Sequence, residues 1–453
     1  MNRGETSDSI PTDLILDILS RLPSKSIARF RCVSKLWSSM LASQAFTRLF
    51  VTRSSSNPRL LIGVEQDGEW RFYSSPQPKN PYDKSSLVVA ADFHMKFSEG
   101  TRSYGCSYAF GLIYFRTMWI SKEGNDQVGV ICNPSTGQYA ILPPEPSRSC
   151  RGILGFDPIC KQFKVLVLNN PDIQHILTLG TKNVRWRSMQ RSLRYVPREQ
   201  RPICINGVLY YIAYDLQDSS YDVIGCFHVR FEKFKFLHVN YDMIDSFCVL
   251  VNYKGKLGGI YWEYADDGGF PLELSMWVLE DLEKNEWSEY AYTLKADNSV
   301  VKVNYNLSVV GVTARGEIVL AKQYACKPFY VFYFNPERNT LLSVEIQGVG
   351  EDHRVCVFVD HVEDLHQFDN MKTSISLPQQ KLKPTSTSTS TSSKNNHQVM
   401  TSILSRKYHQ ARTSTSSRKN HQLRTVSHPQ QDRCTSNKFS ALCLLDDDEF
   451  SGV

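Results

Sequence analysis

The chain lacks the long apolar runs and clustered cysteines that define several classes of protein. No apolar stretch approaches the length that a helix needs to cross a bilayer. The N-terminus, MNRGETSDSI, has no hydrophobic segment of the kind found in secretory signals. Its twelve cysteines are scattered singly, with no CxxC pair. These absences argue against membrane insertion, secretion, a disulfide framework and structural zinc, so we expect a cytoplasmic or nuclear protein with reduced cysteines.

Recognisable catalytic motifs are also missing. The sequence contains no GxSxG, Walker or HExxH motif, and no GxGxxG that opens a helix. His361 and His366 lie five residues apart in DHVEDLH, where we interpret them as a solvated or core-edge cluster rather than a metal site. Asp266 and Asp267 fit a solvated turn better than a carboxylate site. We therefore predict no catalytic residue, no metal site and no cofactor.

Excess positive charge is confined to the C-terminal part of the chain. Residues 373–453 carry eleven Lys and Arg against five Asp and Glu, a surplus equal to the net charge of +6 of the whole chain. The remaining residues are electrically balanced, so nucleic-acid binding by the folded part is not expected.

The same C-terminal part contains a repeat with a period of 12. Residues 389–424 read TSTSSKNNHQVM, TSILSRKYHQAR and TSTSSRKNHQLR. This composition cannot bury enough apolar surface to fold, and it predicts a disordered tail over 373–453. Binding to anionic surfaces or nucleic acid, phosphorylation, and tandem duplication without a function are three explanations, of which we favour the last.

Residues 9–50 concentrate apolar side chains at helical spacing. Pro11 suits the first turn of a helix. One apolar stripe follows at offsets of one, three or four, formed by Leu14, Ile15, Ile18, Leu19 and Leu22. Leu16 lies outside this stripe, so a surface other than the same core would have to cover it.

Two further helices are predicted in this segment. Pro23 ends the first helix and Ser24 can cap the second, while Ser34 can cap a third that carries Leu36 and Trp37. Three helices in about 40 residues rarely bury enough area to be stable alone. The apolar surplus therefore predicts a partner, either the rest of this chain or another protein.

The segment closely resembles an F-box, the motif that docks a protein on the Skp-type adaptor of cullin–RING ubiquitin ligases. The resemblance rests on IPTDLILDILSRLP, KSIARFRCVSKLWSSML and FTRLF. Ile10 stands where the family favours Leu, and Ser34–Lys35 stands where it often has Cys-Lys. The alternative is a helical cap on the next domain. The resemblance implies adaptor binding by Ile10, Pro11, Leu14, Ile15, Leu16, Ile18, Leu19, Leu22, Pro23, Val33, Leu36 and Trp37.

Residues 60–370 contain many short apolar runs separated by turn residues, a pattern typical of antiparallel strands. Glycines of the predicted turns, at 68, 111, 207, 255 and 316, are separated by 43, 96, 48 and 61 residues. The widest gap leaves room for one more copy near GILGFDP. A unit of about 40–50 residues predicts a β-propeller blade, and six units fill 60–370. The alternative is an irregular β-sandwich.

The strand-rich region also resembles the F-box-associated domain of plant F-box proteins, a kelch-like β-propeller. CNPSTGQYAILPP, GFDPICKQFKVL, INGVLYYIA and MWVLEDLEKNEWSEY are similar to its recurring strand signatures. We therefore predict an α+β multidomain chain. It would have a three-helix F-box at 9–50, an all-β, six-bladed propeller-like domain at 60–370 and a disordered tail at 373–453.

The resemblances imply a non-catalytic, substrate-recognition subunit of a Skp–cullin–F-box ubiquitin ligase. Its partners would be the Skp-type adaptor, through it a cullin and a RING protein, and an unknown substrate protein, without a membrane. Candidate substrate contacts are the aromatic residues Trp119, Tyr214, Trp262 and Tyr264, which could also simply pack between blades. A propeller scaffold in a non-ligase complex, a propeller enzyme and nucleic-acid binding by the tail are the alternatives.

Overall fold

The structure is a computed structural model that describes the N-terminal helices and most of the strand-rich region. The described residues are 10–66, 69–78, 87–97, 106–119, 127–145, 152–168, 172–181, 184–190, 194–198, 201–217, 222–239, 248–264, 272–294, 307–350 and 353–365. They all belong to one compact unit, Met1–Pro378. The tail predicted at 373–453, the turn at Asp266–Asp267 and His366 lie outside the described residues.

Four helices form the N-terminal segment, rather than the three predicted. They are α1 (Thr12–Leu19), α2 (Ser24–Arg31), α3 (Lys35–Ala42) and α4 (Gln44–Ser56). The fourth helix contains the FTRLF sequence and buries Phe46 and Phe50. The hydroxyl of Ser43 caps it by accepting a hydrogen bond of 3.2 Å from the Phe46 N–H.

One of the two predicted serine caps is confirmed and the other is wrong. The Ser34 hydroxyl accepts a hydrogen bond of 3.2 Å from the Trp37 N–H and caps α3. Ser24 is instead the first residue of α2, after Pro23. Its hydroxyl donates a hydrogen bond of 2.8 Å to the backbone carbonyl of Ser135 in the strand-rich region.

The helices share one apolar core with a residue from far along the chain. This core contains Leu19, Ile27, Leu41, Phe46, Phe50 and Leu365. Leu16 packs against the same core, so the expectation that a different surface covers it was wrong. The reason is the fourth helix, which was not predicted and lies beside α1, where the Arg53 guanidinium donates a hydrogen bond of 3.0 Å to the Asp17 carbonyl.

In the part of the chain that the structure describes, twenty-six strands follow the helices. The first thirteen are β1 (Arg59–Gln66), β2 (Glu69–Pro76), β3 (Leu87–Ala90), β4 (Asp92–Phe97), β5 (Cys106–Ala109), β6 (Leu112–Trp119), β7 (Gln127–Asn133), β8 (Gln138–Ile141), β9 (Gly152–Asp157), β10 (Gln162–Val167), β11 (Ile173–Thr178), β12 (Trp186–Gln190) and β13 (Tyr195–Pro197). The others are β14 (Ile203–Ile205), β15 (Val208–Asp215), β16 (Asp222–His228), β17 (Lys233–His238), β18 (Val249–Tyr253), β19 (Lys256–Tyr264), β20 (Leu272–Asp281), β21 (Glu286–Leu294), β22 (Leu307–Val312), β23 (Ile318–Lys322), β24 (Tyr330–Asn335), β25 (Thr340–Gln347) and β26 (Arg354–His361).

These strands form six sheets, which are the blades of a β-propeller. Blade 1 has the order β26-β1-β2-β4, blade 2 β5-β6-β7-β8 and blade 3 β12-β11-β10-β9. Blade 4 joins β13 and β14 to β15, followed by β16 and β17, blade 5 is β18-β19-β20-β21, and blade 6 is β22-β23-β24-β25-β3. Six apolar clusters fill the spaces between neighbouring blades, including the space between blades 6 and 1. The ring is therefore closed, as predicted, and is not a sandwich.

Two strands exchanged between distant parts of the chain close the ring. The C-terminal strand β26 pairs antiparallel with β1, with Leu61 opposite Phe358, and so completes blade 1. The short strand β3 leaves blade 1 and pairs in parallel with β25, with Leu87 opposite Val344, as the fifth strand of blade 6. Closure of this kind removes the open sheet edges that a linear array of blades would expose.

The predicted turns that fall within the described residues occur in the structure, as does the predicted extra copy, while Gly68 lies outside the described residues. The Asn206–Gly207 turn joins β14 to β15 with φ angles of 50° and 85°, the left-handed pair that a two-residue hairpin requires. Blade 3 begins at Gly152, within the GILGFDP copy that the spacing predicts. Its first hairpin turns at Lys161, with φ of 54°, instead of a glycine. That replacement explains the gap in the glycine series.

Candidate functional site

The helical segment leaves several large apolar side chains uncovered. We call Ile10, Leu14, Ile18, Val33 and Leu36 the exposed apolar set, because each is 55–74% exposed. They are five of the twelve large hydrophobic side chains found strongly exposed among the described residues. Exposed apolar residues concentrated in one short segment mark a surface that another molecule covers.

Helix α1 has two apolar sides instead of the single predicted stripe. Leu14 and Ile18 are four residues apart, so they share one side of the helix, and both are exposed. Leu19 is buried in the helical core. The helix therefore contributes to its own core and still presents an uncovered apolar side.

The twelve residues predicted to bind an adaptor fall into three groups. Those that are exposed are Ile10, Pro11, Leu14, Ile18, Pro23, Val33 and Leu36. Those that are half-buried are Ile15, Leu16, Leu22 and Trp37, and Leu19 alone of the twelve is buried. The Trp37 ring stacks on Phe30 with centroids 5.4 Å apart, which holds α3 against α2. The half-buried and buried members thus stabilise the helices that present the exposed members.

A short segment after β26 attaches the helices to the propeller. The backbone N–H of Ser24 donates a hydrogen bond of 3.1 Å to the Glu363 carboxylate, and the N–H of Glu363 donates one of 2.7 Å to the Ser54 hydroxyl. With the Ser24–Ser135 hydrogen bond and the burial of Leu365, these contacts form what we call the joint. No local pattern in the sequence indicates the joint, because its hydrogen-bonded partners lie 111 to 339 residues apart.

Blade 2 approaches the joint so closely that only glycine fits one of its turns. Gly111 has φ of 88°, and a Cβ built there would lie 2.8 Å from the carbonyl oxygen of Val362. The Asn133 side chain donates a hydrogen bond of 2.9 Å to the carbonyl of Asp364. The segment after β26 is therefore held on one side by blade 2 and on the other by the helices.

His361 is a buried structural residue within this region. Its Nδ1 lies 3.2 Å from the Tyr108 hydroxyl and its Nε2 lies 3.2 Å from the Ser135 hydroxyl. Burial lowers the pKa of His361 to about 3, so the ring is neutral at physiological pH. The core-edge interpretation of His361 agrees with this position, and the solvated one does not. Among the described residues no group of three His, Cys, Asp or Glu side chains could hold a metal ion.

The four candidate aromatic residues lie towards one face of the propeller. Ser135, which contacts the helices, lies in the turn between the third and fourth strands of blade 2. Neighbouring strands of this blade are antiparallel, so its third strand runs towards that face and its second strand runs away from it. Trp119 ends β6, Tyr214 is the penultimate residue of β15, and Trp262 and Tyr264 lie in the last three residues of β19. All three are second strands of their blades. We call the surface at these strand ends the helix-distal face.

The environments of these aromatic side chains differ. Trp262 and Tyr264 pack against the core between blades 5 and 6, and the Tyr264 hydroxyl donates a hydrogen bond to the Leu307 carbonyl. Burial raises the pKa of Tyr264 to about 12. Tyr214 lies under the Arg198 guanidinium, 5.4 Å from the ring centroid. The side chain of Trp119 lies outside the described part of the chain.

The central channel of the propeller contains a thiol pair beside an arginine. The Arg201 guanidinium lies 3.5 Å from the Cys356 Sγ. A hydrogen bond from Cys106, and next Arg201, lower the pKa of the Cys356 thiol against the opposing effect of burial. The same hydrogen bond and burial raise the pKa of Cys106. The described cysteines are all free thiols.

Comparison with known proteins gives two family matches in the order found in the structure. A model of the F-box domain matches residues 7–49, and a model of the F-box associated beta propeller domain matches residues 59–362. Among the helices that the structure describes, none is long and apolar enough to span a membrane.

Similar whole proteins occur in Arabidopsis thaliana. The chain is 72% identical to F-box protein At1g67130 over 98% of this chain and 95% of that protein. It is 60% identical to putative F-box protein At1g30920 over 83% of this chain and 97% of the other. It is 48% identical to F-box only protein 12 over 88% of this chain and 95% of the other.

Proposed function

The chain belongs to the F-box proteins that carry an F-box-associated β-propeller domain, and from this premise we propose that it is a substrate-recognition subunit of a Skp–cullin–F-box ubiquitin ligase. The observation that carries the proposal is the exposed apolar set on an otherwise well-packed group of helices. Docking on the Skp-type adaptor would cover this set.

The exposed apolar set can supply the binding energy that such docking needs. Burying one large aliphatic side chain contributes about 1.5–3 kcal/mol, so five of them offset much of the loss of translational and rotational freedom on association. The helices are already attached to the propeller through the joint. Since the joint uses other residues, the set remains free for a second protein.

The proposed role of this chain is to bring two reactants together. The helices would bind the adaptor, and the propeller would hold a substrate protein near the ubiquitin-charged enzyme. The resulting high effective concentration speeds transfer to a substrate lysine, and this chain supplies no bond-making group.

We place the substrate on the helix-distal face, because the helices already contact the opposite one. Tyr214 lies at this face with the Arg198 guanidinium over its ring, and the neighbouring Leu216 is exposed. Tyr324, in the connection between the second and third strands of blade 6, is also exposed there. Surface tyrosine and arginine side chains are suited to protein recognition, since they combine apolar area with polar groups, and Leu216 adds further apolar area.

Binding to a purified Skp-type adaptor tests the proposal. The full-length chain is compared with Leu36→Asp, which places a charge in the exposed apolar set, and with Ile159→Asp as a matched control. Ile159 is as exposed as Leu36 but lies in a hairpin turn of blade 3. We expect Leu36→Asp to weaken adaptor binding by at least about tenfold, and Ile159→Asp to leave it unchanged.

Two results would overturn the proposal. One is the absence of binding by a full-length chain that is demonstrably folded. The other is equal loss of binding in the two variants, since the adaptor would then not contact the helices specifically.

A further inference from the structure

A cleft lined by five cationic side chains, among apolar, polar and acidic ones, opens between the helices and blade 1. Its cavity volume is about 700 Å³, within the range of sites that bind small molecules. Four of its cations, Arg21, Lys25, Arg29 and Arg53, belong to the helical segment, and Arg59 belongs to β1. The helical segment and blade 1 therefore bring five positive charges to one cleft.

The acidic residues nearby do not balance these cations. Asp17 accepts hydrogen bonds from both Arg21 and Arg53, so one carboxylate serves two guanidinium groups. Asp92 pairs with Arg59. The third carboxylate, Glu363, is nearly buried and accepts the Ser24 N–H of the joint. Five cations against three carboxylates leave a surplus of two positive charges.

Lys25 and Arg29 carry this surplus. Neither forms an ion pair with a carboxylate within 4.0 Å in the described part of the chain. The Lys25 ammonium lies over the Phe93 ring and donates to the Phe93 carbonyl. Partial burial lowers the pKa of Lys25, and the nearby Arg29 adds to this lowering, while the charges of Asp92 and Glu363 oppose it. An anion between these two side chains would remove that repulsion.

One residue that lines the cleft, His94, has a ring nitrogen without a hydrogen bond to any described residue. Its Nε2 lies 2.7 Å from the Ser74 hydroxyl. The other ring nitrogen, Nδ1, is buried and has no hydrogen-bond partner among the described residues. Buried polar atoms are rarely left unpaired in a native protein, and a ligand is one explanation for such an atom.

We propose that this cleft binds a small molecule that carries two or more phosphate groups. Phosphate oxygens match the planar fork of arginine. Lys25 and Arg29 line the cleft from α2 and Arg59 lines it from blade 1, so a ligand needs two phosphate groups to reach the cations of both walls. The ligand would touch α2, α4 and blade 1 together. It would therefore stiffen the connection between the helices and the propeller.

Titration of the full-length chain with inorganic tripolyphosphate at physiological salt tests this inference. The chain is compared with Arg29→Gln and with the matched control Arg48→Gln. Arg48 is an exposed arginine on α4 that does not line the cleft. Each variant removes one charge, so binding to any other basic region changes equally. We expect Arg29→Gln to weaken binding about tenfold and Arg48→Gln to leave it nearly unchanged.

Several outcomes would overturn the inference. Absence of saturable binding is one, and equal weakening in the two variants is another. Inorganic phosphate that binds as tightly as tripolyphosphate would show that the cleft takes a single anion. A doubly phosphorylated peptide that binds where tripolyphosphate does not would assign the cleft to a protein ligand. An unchanged unfolding temperature of Arg29→Gln without ligand confirms that the variant is folded.

Discussion

The hydroxyl of Ser24 donates a hydrogen bond of 2.8 Å to the backbone carbonyl of Ser135, 111 residues away in the sequence. This bond ties α2 to a turn of blade 2. It also shows how the apolar surplus of the N-terminal segment is used. Part of it forms a core that Leu365 completes, and the remainder, the exposed apolar set, is left for another protein.

Replacing Ser24 with alanine should weaken the joint. The change removes the bond to the Ser135 carbonyl, and that buried acceptor loses a partner. We expect the free energy of unfolding to fall by about 1–2 kcal/mol, as measured by chemical denaturation. Ser39→Ala, at an exposed position on α3, should change it by less than about 0.5 kcal/mol. Equal effects of the two variants would contradict this role of Ser24.

Substitutions of Ile18 and Leu19 should have different effects, although the two residues are adjacent on α1. The first should change adaptor binding and the second should change stability. Ile18 is 55% exposed and Leu19 is 4% exposed. Leu19→Ala should lower the free energy of unfolding by about 2–4 kcal/mol, because it opens a cavity in the helical core. Ile18→Ala should barely change stability and should weaken adaptor binding. Denaturation and binding measured on both variants check this, and a large loss of stability in Ile18→Ala would contradict the exposed position.

His361 should make the protein less stable as the pH falls. Burial lowers its pKa from 6.5 to about 3, so between these values the unfolded chain binds a proton that the folded chain does not. The contribution of His361 to stability is fully present above pH 6.5. It decreases by about 1.4 kcal/mol for each pH unit below that value, until the folded pKa is reached. His361→Gln should reduce the slope of unfolding free energy between pH 6.5 and 5, and an unchanged slope would contradict this prediction.

Removing the hydroxyl of Tyr211 and adding a Cβ at Gly225 should change the free energy of unfolding in opposite directions. The Tyr211 hydroxyl is buried and has no hydrogen-bond partner among the described residues. Tyr211→Phe should therefore raise the free energy of unfolding, by about 1 kcal/mol. A Cβ built on Gly225 would lie 2.3 Å from the Tyr211 ring, so Gly225→Ala should lower it by about 1–3 kcal/mol. Thermal unfolding of both variants tests this, and destabilisation by Tyr211→Phe would show that the hydroxyl is satisfied.

The blades could be predicted from the sequence because their signals are local. A hairpin such as Asn206–Gly207 needs left-handed backbone angles, and the residues that adopt them are visible in the sequence. Regular spacing then indicated the number of blades and even the copy at Gly152, where Lys161 replaces the glycine of the turn. The Ser34 cap was predictable for the same reason, since its partner is three residues away.

Contacts between distant residues could not be predicted in this way. Glu363 reads as a solvated acid next to Asp364, yet it accepts a hydrogen bond from Ser24, 339 residues away. From the sequence, the four-residue strand β3 would be expected to pair with the strands next to it along the chain. In the structure it pairs with β25 instead. The cations of the cleft, such as Arg29 and Arg59, look like ordinary surface charges until the fold brings them together.

The position of β26 imposes an order on folding during synthesis. Blade 1 starts at residue 59 but receives its last strand only when residue 361 has been made, and Leu365 then completes the helical core. Pairing between such distant segments is slow and comes late. A ribosome that stops early therefore releases a chain with an unfinished ring and an incomplete helical core. Only chains made through residue 365 would present the exposed apolar set on finished helices, so stable display of that set reports that synthesis has passed residue 365.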